Sequence, residues 1–396
     1  MHIAFVDVDD PRDPEVYSGI PSRMLENMER IAHVSVVAPL RTHAKYAFTV
    51  QKCCYGLINK KLFVNREPFV LRSFAKQIEA SLPKDAEVIF SWSSVPISFL
   101  NDRRPIFLWP DATLPAVRGY YRHLDNVCER TWRVGREQEI EALSRATMAL
   151  YSSEWGAESA RQLVPESTHK VRTLNYGANI DPELTDEQAR RFIAERRTDR
   201  CHMLFVGLEP KRKGLDTAIE IARLLNDRGL PSVLHVVGEH NFPWLKDAPP
   251  YVRVEGRLPR DSARMRELFL SCNLFTLPTR ADCSPIALCE GAAHALPVVS
   301  RKTGGVPSIT EDGRTGLLFG VDAPPEHYAD RIAALLEDQA SYRAMSWAAL
   351  ETYRDRLNWR TQVGKLVEIM AETLDRRRSK MDDLISRQTS RAAAGA

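Results

Sequence analysis

The chain has 396 residues, 44% of them hydrophobic and 27% charged, with a formal net charge of +3. That length exceeds what one hydrophobic core usually serves, so two domains are expected, and the near-neutral balance argues against a nucleic-acid partner. No apolar run reaches the roughly 18 residues a membrane span needs, and the odd set of seven cysteines, without metal-ligand spacing or a signal-type start, points to reduced thiols in the cytoplasm.

In chain order, HIAFVDV reads as a buried parallel strand and VSVVAPL as a second, with a loop and a helix near Ser22–Ile31 between them. AEVIFSW and PIFLWPD read as further strands, Val127–Ser144 as a helix and TMALYSS as a strand. A charged connector follows at about residues 181–200. HMLFVGL then begins a second series: a helix over Leu215–Leu225, strands VLHVVG and YVRVEG, a helix near Ser262–Phe269, and strands LFTLP and PVVS around another helix. Pro325–Leu374 is helical, and the tail from Arg376 reads as frayed. This predicts an α/β protein with two Rossmann-like domains, 1–185 and 190–370, followed by a charged tail over 371–396. Ligands in such sheets sit at the carboxyl ends of the strands.

The most informative stretch is Leu274–Phe319, LFTLPTRADCSPIALCEGAAHALPVVSRKTGGVPSITEDGRTGLLF. After the strand, Ser284-Pro285 predicts a helix start, with Ser as cap and Pro where an amide would go unpaired. The helix PIALCEGAAHA is apolar almost all round and yet carries Glu290, a carboxylate that needs a partner. Its side chain leans back over Ile286 and Ala287, toward a helix N-terminus suited to anions. The cap and Glu290 are separated by about 6–8 Å of helical rise, near the offset between a diphosphate and the ribose of one nucleotide.

Asp282 and Glu290, with GAAHALPVVSRKTGGVPSIT after them, resemble the acidic-x7-acidic signature of retaining glycosyltransferases with the GT-B fold. The chain is similar over most of its length to glycosyltransferase family 4, the group 1 transferases. The resemblance implies two Rossmann-like domains facing each other across a cleft, with a C-terminal helix crossing back. It also implies a nucleotide-sugar donor held mainly by the second domain. Glu290 matches the carboxylate on the nucleotide ribose. Asp282 stands where the family usually has Glu near the donor sugar's hydroxyls, a departure that leaves the sugar open. Donor contacts are expected at Ser284, Pro285, Ile286 and Ala287.

The loop GLEPKRKG, from Gly207 to Gly214, resembles the family's turn in which an Arg and a Lys neutralise the leaving diphosphate. Lys213 matches the Lys. Leu208 replaces the Arg, and Arg212 is expected to supply the charge. Gly19 in YSGIP resembles the glycine loop after the first strand, where backbone approaches a phosphate or sugar. Asp111, after PIFLW, is the polar candidate on the sugar or acceptor side, with His123 as runner-up. Arg257 in EGRL is a base or ribose candidate, and Gly238-Glu239 ends a neighbouring strand. SSEW and YGAN resemble the family's inter-domain segments and read as structural. Asp7-Val8-Asp9 reads as a chance match to a metal-binding motif, so no metal and no cofactor beyond the sugar nucleotide are expected.

Residues 41–76 hold eight Lys/Arg against one acid, Glu67, interleaved with Tyr46, Phe48, Tyr55, Phe63, Phe69 and Phe74. This is either a solvated face or an acceptor-side surface for anionic lipid headgroups. The expected function is a retaining, metal-independent hexosyl transfer from a nucleotide-sugar to a glycan or lipid-linked glycan of envelope or polysaccharide biosynthesis. The location expected is the cytoplasm, with contact to the inner membrane face as the alternative. Rival readings are a silent GT-B-like binding subunit, favoured by Asp282 and Leu208, and a sugar-nucleotide epimerase or hydrolase.

Overall fold

The computed structural model describes residues 1–42, 48–180, 182–238 and 248–394; Tyr46 and Glu239 lie outside them. The chain forms two compact units. The first comprises Met1–Tyr151, Ser159–Arg172 and Gln362–Ala396, and the second Ser152–Glu158 and Thr173–Thr361. The SSEW and YGAN segments thus both fall in the second unit, and the last helix returns to the first.

The first unit is built on β1 (His2–Val6), β2 (His33–Val37), β3 (Val88–Ser91), β4 (Ile106–Leu108), β5 (Met148–Tyr151) and β6 (Val171–Thr173), in the order β2-β1-β3-β4-β5-β6. Strands β1, β3, β4 and β5 are buried along their whole length. Such continuously apolar runs are what a parallel sheet covered on both faces requires. The order reverses at β1, which pairs in parallel with both β2 and β3.

The second unit repeats the plan with β7 (Cys201–Val206), β8 (Ser232–Val237), β9 (Val252–Gly256), β10 (Leu274–Leu277), β11 (Val298–Arg301) and β12 (Gly316–Phe319), in the order β12-β11-β10-β7-β8-β9. Its reversal lies at β7, between β8 and β10. The helix Ile286–Ala293 sits close against this sheet, since a side chain at Gly291 would come within 2.8 Å of the Phe275 ring. Both predicted runs of strand–helix alternation are therefore present as parallel α/β sheets.

The segment read as helical, Pro325–Leu374, is three helices: Pro325–Glu337, Gln339–Arg356 and Trp359–Ala394. The last continues where composition suggests a frayed tail. In the first unit it is tied down by Arg377, which donates to the Arg103 carbonyl at 3.0 Å, and by Arg378, 2.7 Å from Glu87. Among the described residues no helix is long and apolar enough to cross a membrane.

Candidate nucleotide-sugar site

In an open α/β sheet the crevice for a ligand opens where the strand order reverses. In the second unit that point is flanked by the segments following β7 and β10. After β7 come Gly207 and Leu208, which is half exposed, and then Glu209 in a left-handed conformation. A single helical turn, Pro210–Lys213, follows and ends on Gly214 at φ +78°. Gly214 is required twice over: that φ disfavours side chains, and a Cβ would lie 2.1 Å from the Pro278 carbonyl oxygen. The close approach brings the cationic turn against the β10 loop. Arg280 strengthens the seam by donating to the Lys211 carbonyl and pairing with Asp216 at 2.8 Å.

Across this seam Lys213 Nζ lies 2.5 Å from Asp282 Oδ2, and Arg212 Nη1 lies 3.7 Å from the same oxygen. Arg212 also donates to the Ala281 carbonyl at 2.8 Å and to Glu209 at 2.9 Å. Two cations and one carboxylate from separate loops thus converge. Asp282 is only 6% exposed and is packed against these partners. Gly207 packs on Lys213, with 3.2 Å from an ideal Cβ to Lys213 Cγ. It thereby leaves the lysine stem its place.

The helix after β10 departs from expectation at its start. It begins at Ile286, with Pro285 at the cap position and no side-chain cap. The Ser284 hydroxyl bonds instead to the hydroxyl of Ser152, a partner 132 residues away that competes with the capping role. Ile286 and Ala287 are half-buried, whereas the helix from Leu288 onward is buried. The first turn's amides therefore lie at the accessible end. Glu290 is 4% exposed and has Arg260 Nε 4.0 Å from its Oε1. Arg260, in the loop after β9, is the cation that local sequence reasoning misses. Arg257 is exposed at the end of the edge strand β9, just after Gly256.

The remaining candidates belong to the first unit. Gly19, at φ +81°, opens the helix Ile20–Glu29 after Tyr17 and Ser18, both also at positive φ. Asp111 is half-buried beyond β4, ahead of Thr113, whose hydroxyl accepts from the Ala116 amide at 3.3 Å. His123 lies in an exposed turn, stacked on Tyr121. Asp7 directly follows β1 and accepts a 2.6 Å hydrogen bond from the Trp92 indole, which follows β3. Burial pushes its carboxyl up to about 6, against the opposing effect of that bond.

Two parallel six-stranded sheets of this kind, each with helices on its faces, make up the GT-B fold. Residues 200–338 match the family "Glycosyl transferases group 1". The second unit supplies the matching segment. D-inositol 3-phosphate glycosyltransferase 2 of Catenulispora acidiphila is 23% identical over 257 residues, 61% of this chain and 59% of that protein. The chain spans about six-tenths of the length of the curated relatives it matches. Among solved structures, Anabaena HepE in complex with UDP and glucose has a TM-score of 0.61 at 16% identity, covering 94% of this chain and all of that one. Sucrose-phosphate synthase from Thermosynechococcus elongatus reaches 0.67 at 15% identity, over 95% of this chain and 99% of its own.

Proposed function

We propose that the protein is a retaining, metal-independent glycosyltransferase whose second unit holds a nucleoside diphosphate sugar. The observation that carries this reading is the convergence of Lys213, Arg212 and Asp282 at the reversal point between β7 and β10. A departing nucleoside diphosphate gains negative charge as the glycosidic bond breaks, and cations fixed in a partly buried seam stabilise that charge most where it develops. In the free protein Asp282 balances them. The diphosphate takes over that role, and Asp282 is then available to the sugar hydroxyls. Glu290 accepts from the ribose, with Arg260 beside it. The first-turn amides of the helix Ile286–Ala293 receive phosphate oxygens.

Among the described residues no carboxylate is placed as a nucleophile, which favours departure and attack on one face. The C1–O bond to the diphosphate breaks, the acceptor oxygen bonds to C1 on the same face, and the acceptor proton passes to the leaving phosphate oxygen. The UDP and glucose named for HepE make UDP-sugars the first donors to try. The acceptor we favour is a glycan or lipid-linked glycan, consistent with an exposed apolar and basic helix in the first unit. The helix Thr49–Leu57 buries none of its residues, and Val50, Leu57 and Ile58 are largely exposed beside Lys52, Lys60 and Lys61. Such a surface fits peripheral contact with an anionic bilayer.

The test is incubation with UDP- and GDP-sugars, with and without EDTA. Release of nucleoside diphosphate and the anomeric configuration of the product are read by NMR. Release that survives EDTA, with retained configuration, is expected. Nucleotide binding without turnover on any acceptor would favour the silent subunit, and acceptor-independent release would favour a hydrolase.

A further inference from the structure

The opposite, amino-terminal end of the second sheet carries a polar cavity of about 540 Å3 that the transfer chemistry does not use. Parallel sheets covered on both faces are normally apolar throughout. Here adjacent strands bring His202, His235 and Arg253 together, with His235 and Arg253 in register. The two imidazoles stack at 5.5 Å between centroids, and His202 Nδ1 lies 3.2 Å from His235 Nε2. His235 Nδ1 is 2.8 Å from Glu255 Oε1. An ionised carboxylate only accepts, so His235 donates from Nδ1 and its Nε2 accepts from His202 Nδ1. Nε2 of His202 is the ring's remaining polar atom.

The charges around this pair do not cancel. Arg264 is taken up by Glu255 and Glu267. Arg196 is buried and donates to the carbonyls of Phe269, Leu270, His294 and Ala295, at the ends of two helices. Glu195 pairs with Arg191, and Arg197 grips Asp199, which Arg200 reaches only at 3.5 Å. Arg253 has no carboxylate partner among the described residues. Burial above all, then His235, Arg253 and Arg200, hold the His202 imidazole below the usual histidine pKa.

We infer that this cavity is a second ligand site, binding a small phosphate-bearing anion through Arg200, Arg253 and His202, apart from the nucleotide-sugar site. Two guanidinium forks match phosphate oxygens, and the imidazole adds a third donor once an anion offsets the surrounding positive charge. Three donors from separate strands and loops suit a tetrahedral oxyanion better than a planar carboxylate. The volume fits a phosphorylated small molecule. The site does not depend on the transfer reaction proposed above.

Calorimetric titration of the full chain with inorganic pyrophosphate, at constant ionic strength, tests the site. Pyrophosphate also mimics the donor diphosphate, so Lys213→Ala is titrated in parallel. Pyrophosphate binding that persists in Lys213→Ala is expected to weaken at least about tenfold when Arg200→Glu and Arg253→Glu are added. UDP affinity should stay unchanged in the Arg200→Glu/Arg253→Glu chain. Both arginines are exposed, and thermal melts check that the variants fold. Independently, ring nitrogen resonances of His202, assigned with His202→Gln, are expected to shift on pyrophosphate addition in wild type and in Lys213→Ala. Pyrophosphate binding lost entirely with Lys213→Ala, or unaltered by the paired arginine changes, would overturn the site, as would unmoved His202 resonances.

Discussion

Lys213 Nζ and Asp282 Oδ2 stand 2.5 Å apart, although the two residues come from the ends of different strands. The contact exists because β7 and β10 are neighbours at the point where the strand order reverses. It joins a cation suited to a leaving diphosphate to the first member of the acidic pair. Lys213→Ala is expected to lower turnover more than donor affinity, since the charge it meets develops during reaction. Arg212→Ala is expected to act in the same direction, with the double variant losing more than either. Steady-state kinetics against a UDP-sugar, separating kcat from KM, decides this. Wild-type kcat in the double variant would reduce the pair to a basic turn.

Glu290→Gln keeps the shape of a nearly buried side chain and removes its charge. Charge-assisted hydrogen bonds are worth about 1.5–3 kcal/mol, so UDP or GDP affinity is expected to fall by at least about tenfold. Arg260→Ala should weaken it less, because that arginine is 48% exposed and 4.0 Å away. Equilibrium binding by a fluorescent nucleotide, on variants shown to melt like wild type, separates the two. Unchanged affinity in Glu290→Gln would remove the ribose assignment.

Much of this architecture is legible in the sequence, and the parts that are not share a cause. Short, largely apolar runs such as Leu274–Leu277 identify buried strands without knowledge of their neighbours. Glu290 stands out because a carboxylate in an apolar helix is costly wherever the helix packs. Its neighbour Arg260 does not stand out, since only the fold brings the loop after β9 to that helix. The Ser284 hydroxyl is diverted by Ser152 for the same reason, so a sound local rule predicts a cap that is not made. The His202–His235–Glu255 chain depends on the register of three strands, which no local spacing encodes. That the helix Thr49–Leu57 buries none of its residues is equally hidden, because apolar residues at helical spacing ordinarily signal a buried face.

Asp7 makes a pH prediction. Its folded pKa of about 6 lies above the unfolded value of 3.8 because burial penalises the charged form. The folded state therefore holds a proton that the unfolded state has released between about pH 4 and pH 6. Asp7's contribution to stability falls as pH rises through that window and stays unfavourable above it, by up to about 3 kcal/mol. Asp7→Asn keeps an acceptor for the Trp92 indole and removes the titration. Relative to wild type, the variant should gain stability between about pH 4 and pH 8. Urea denaturation at both ends measures it, and an equal difference at the two pH values would show that Asp7 is not raised.

The basic helix of the first unit yields the last prediction. Of the eight Lys/Arg in residues 41–76, Lys52, Lys60 and Lys61 are exposed next to Val50, Leu57 and Ile58, which are 74%, 88% and 66% exposed. The stretch's single acid, Glu67, is buried and bound by Arg130 at 2.6 and 2.8 Å, so it does not offset the surface charge. Near an anionic bilayer each such lysine is worth about 1 kcal/mol, screened over about 8–10 Å at physiological salt. The apolar side chains add a component that salt does not screen. Sedimentation with anionic liposomes is expected at low salt, weaker as salt rises, and slight with neutral liposomes. Changing Lys52, Lys60 and Lys61 to Glu should abolish it while nucleotide affinity holds. Changing Val50, Leu57 and Ile58 to Ser should weaken binding at high salt most. If wild-type protein stays in the supernatant with anionic liposomes at low salt, the helix is a solvated face and a soluble acceptor becomes the better assignment.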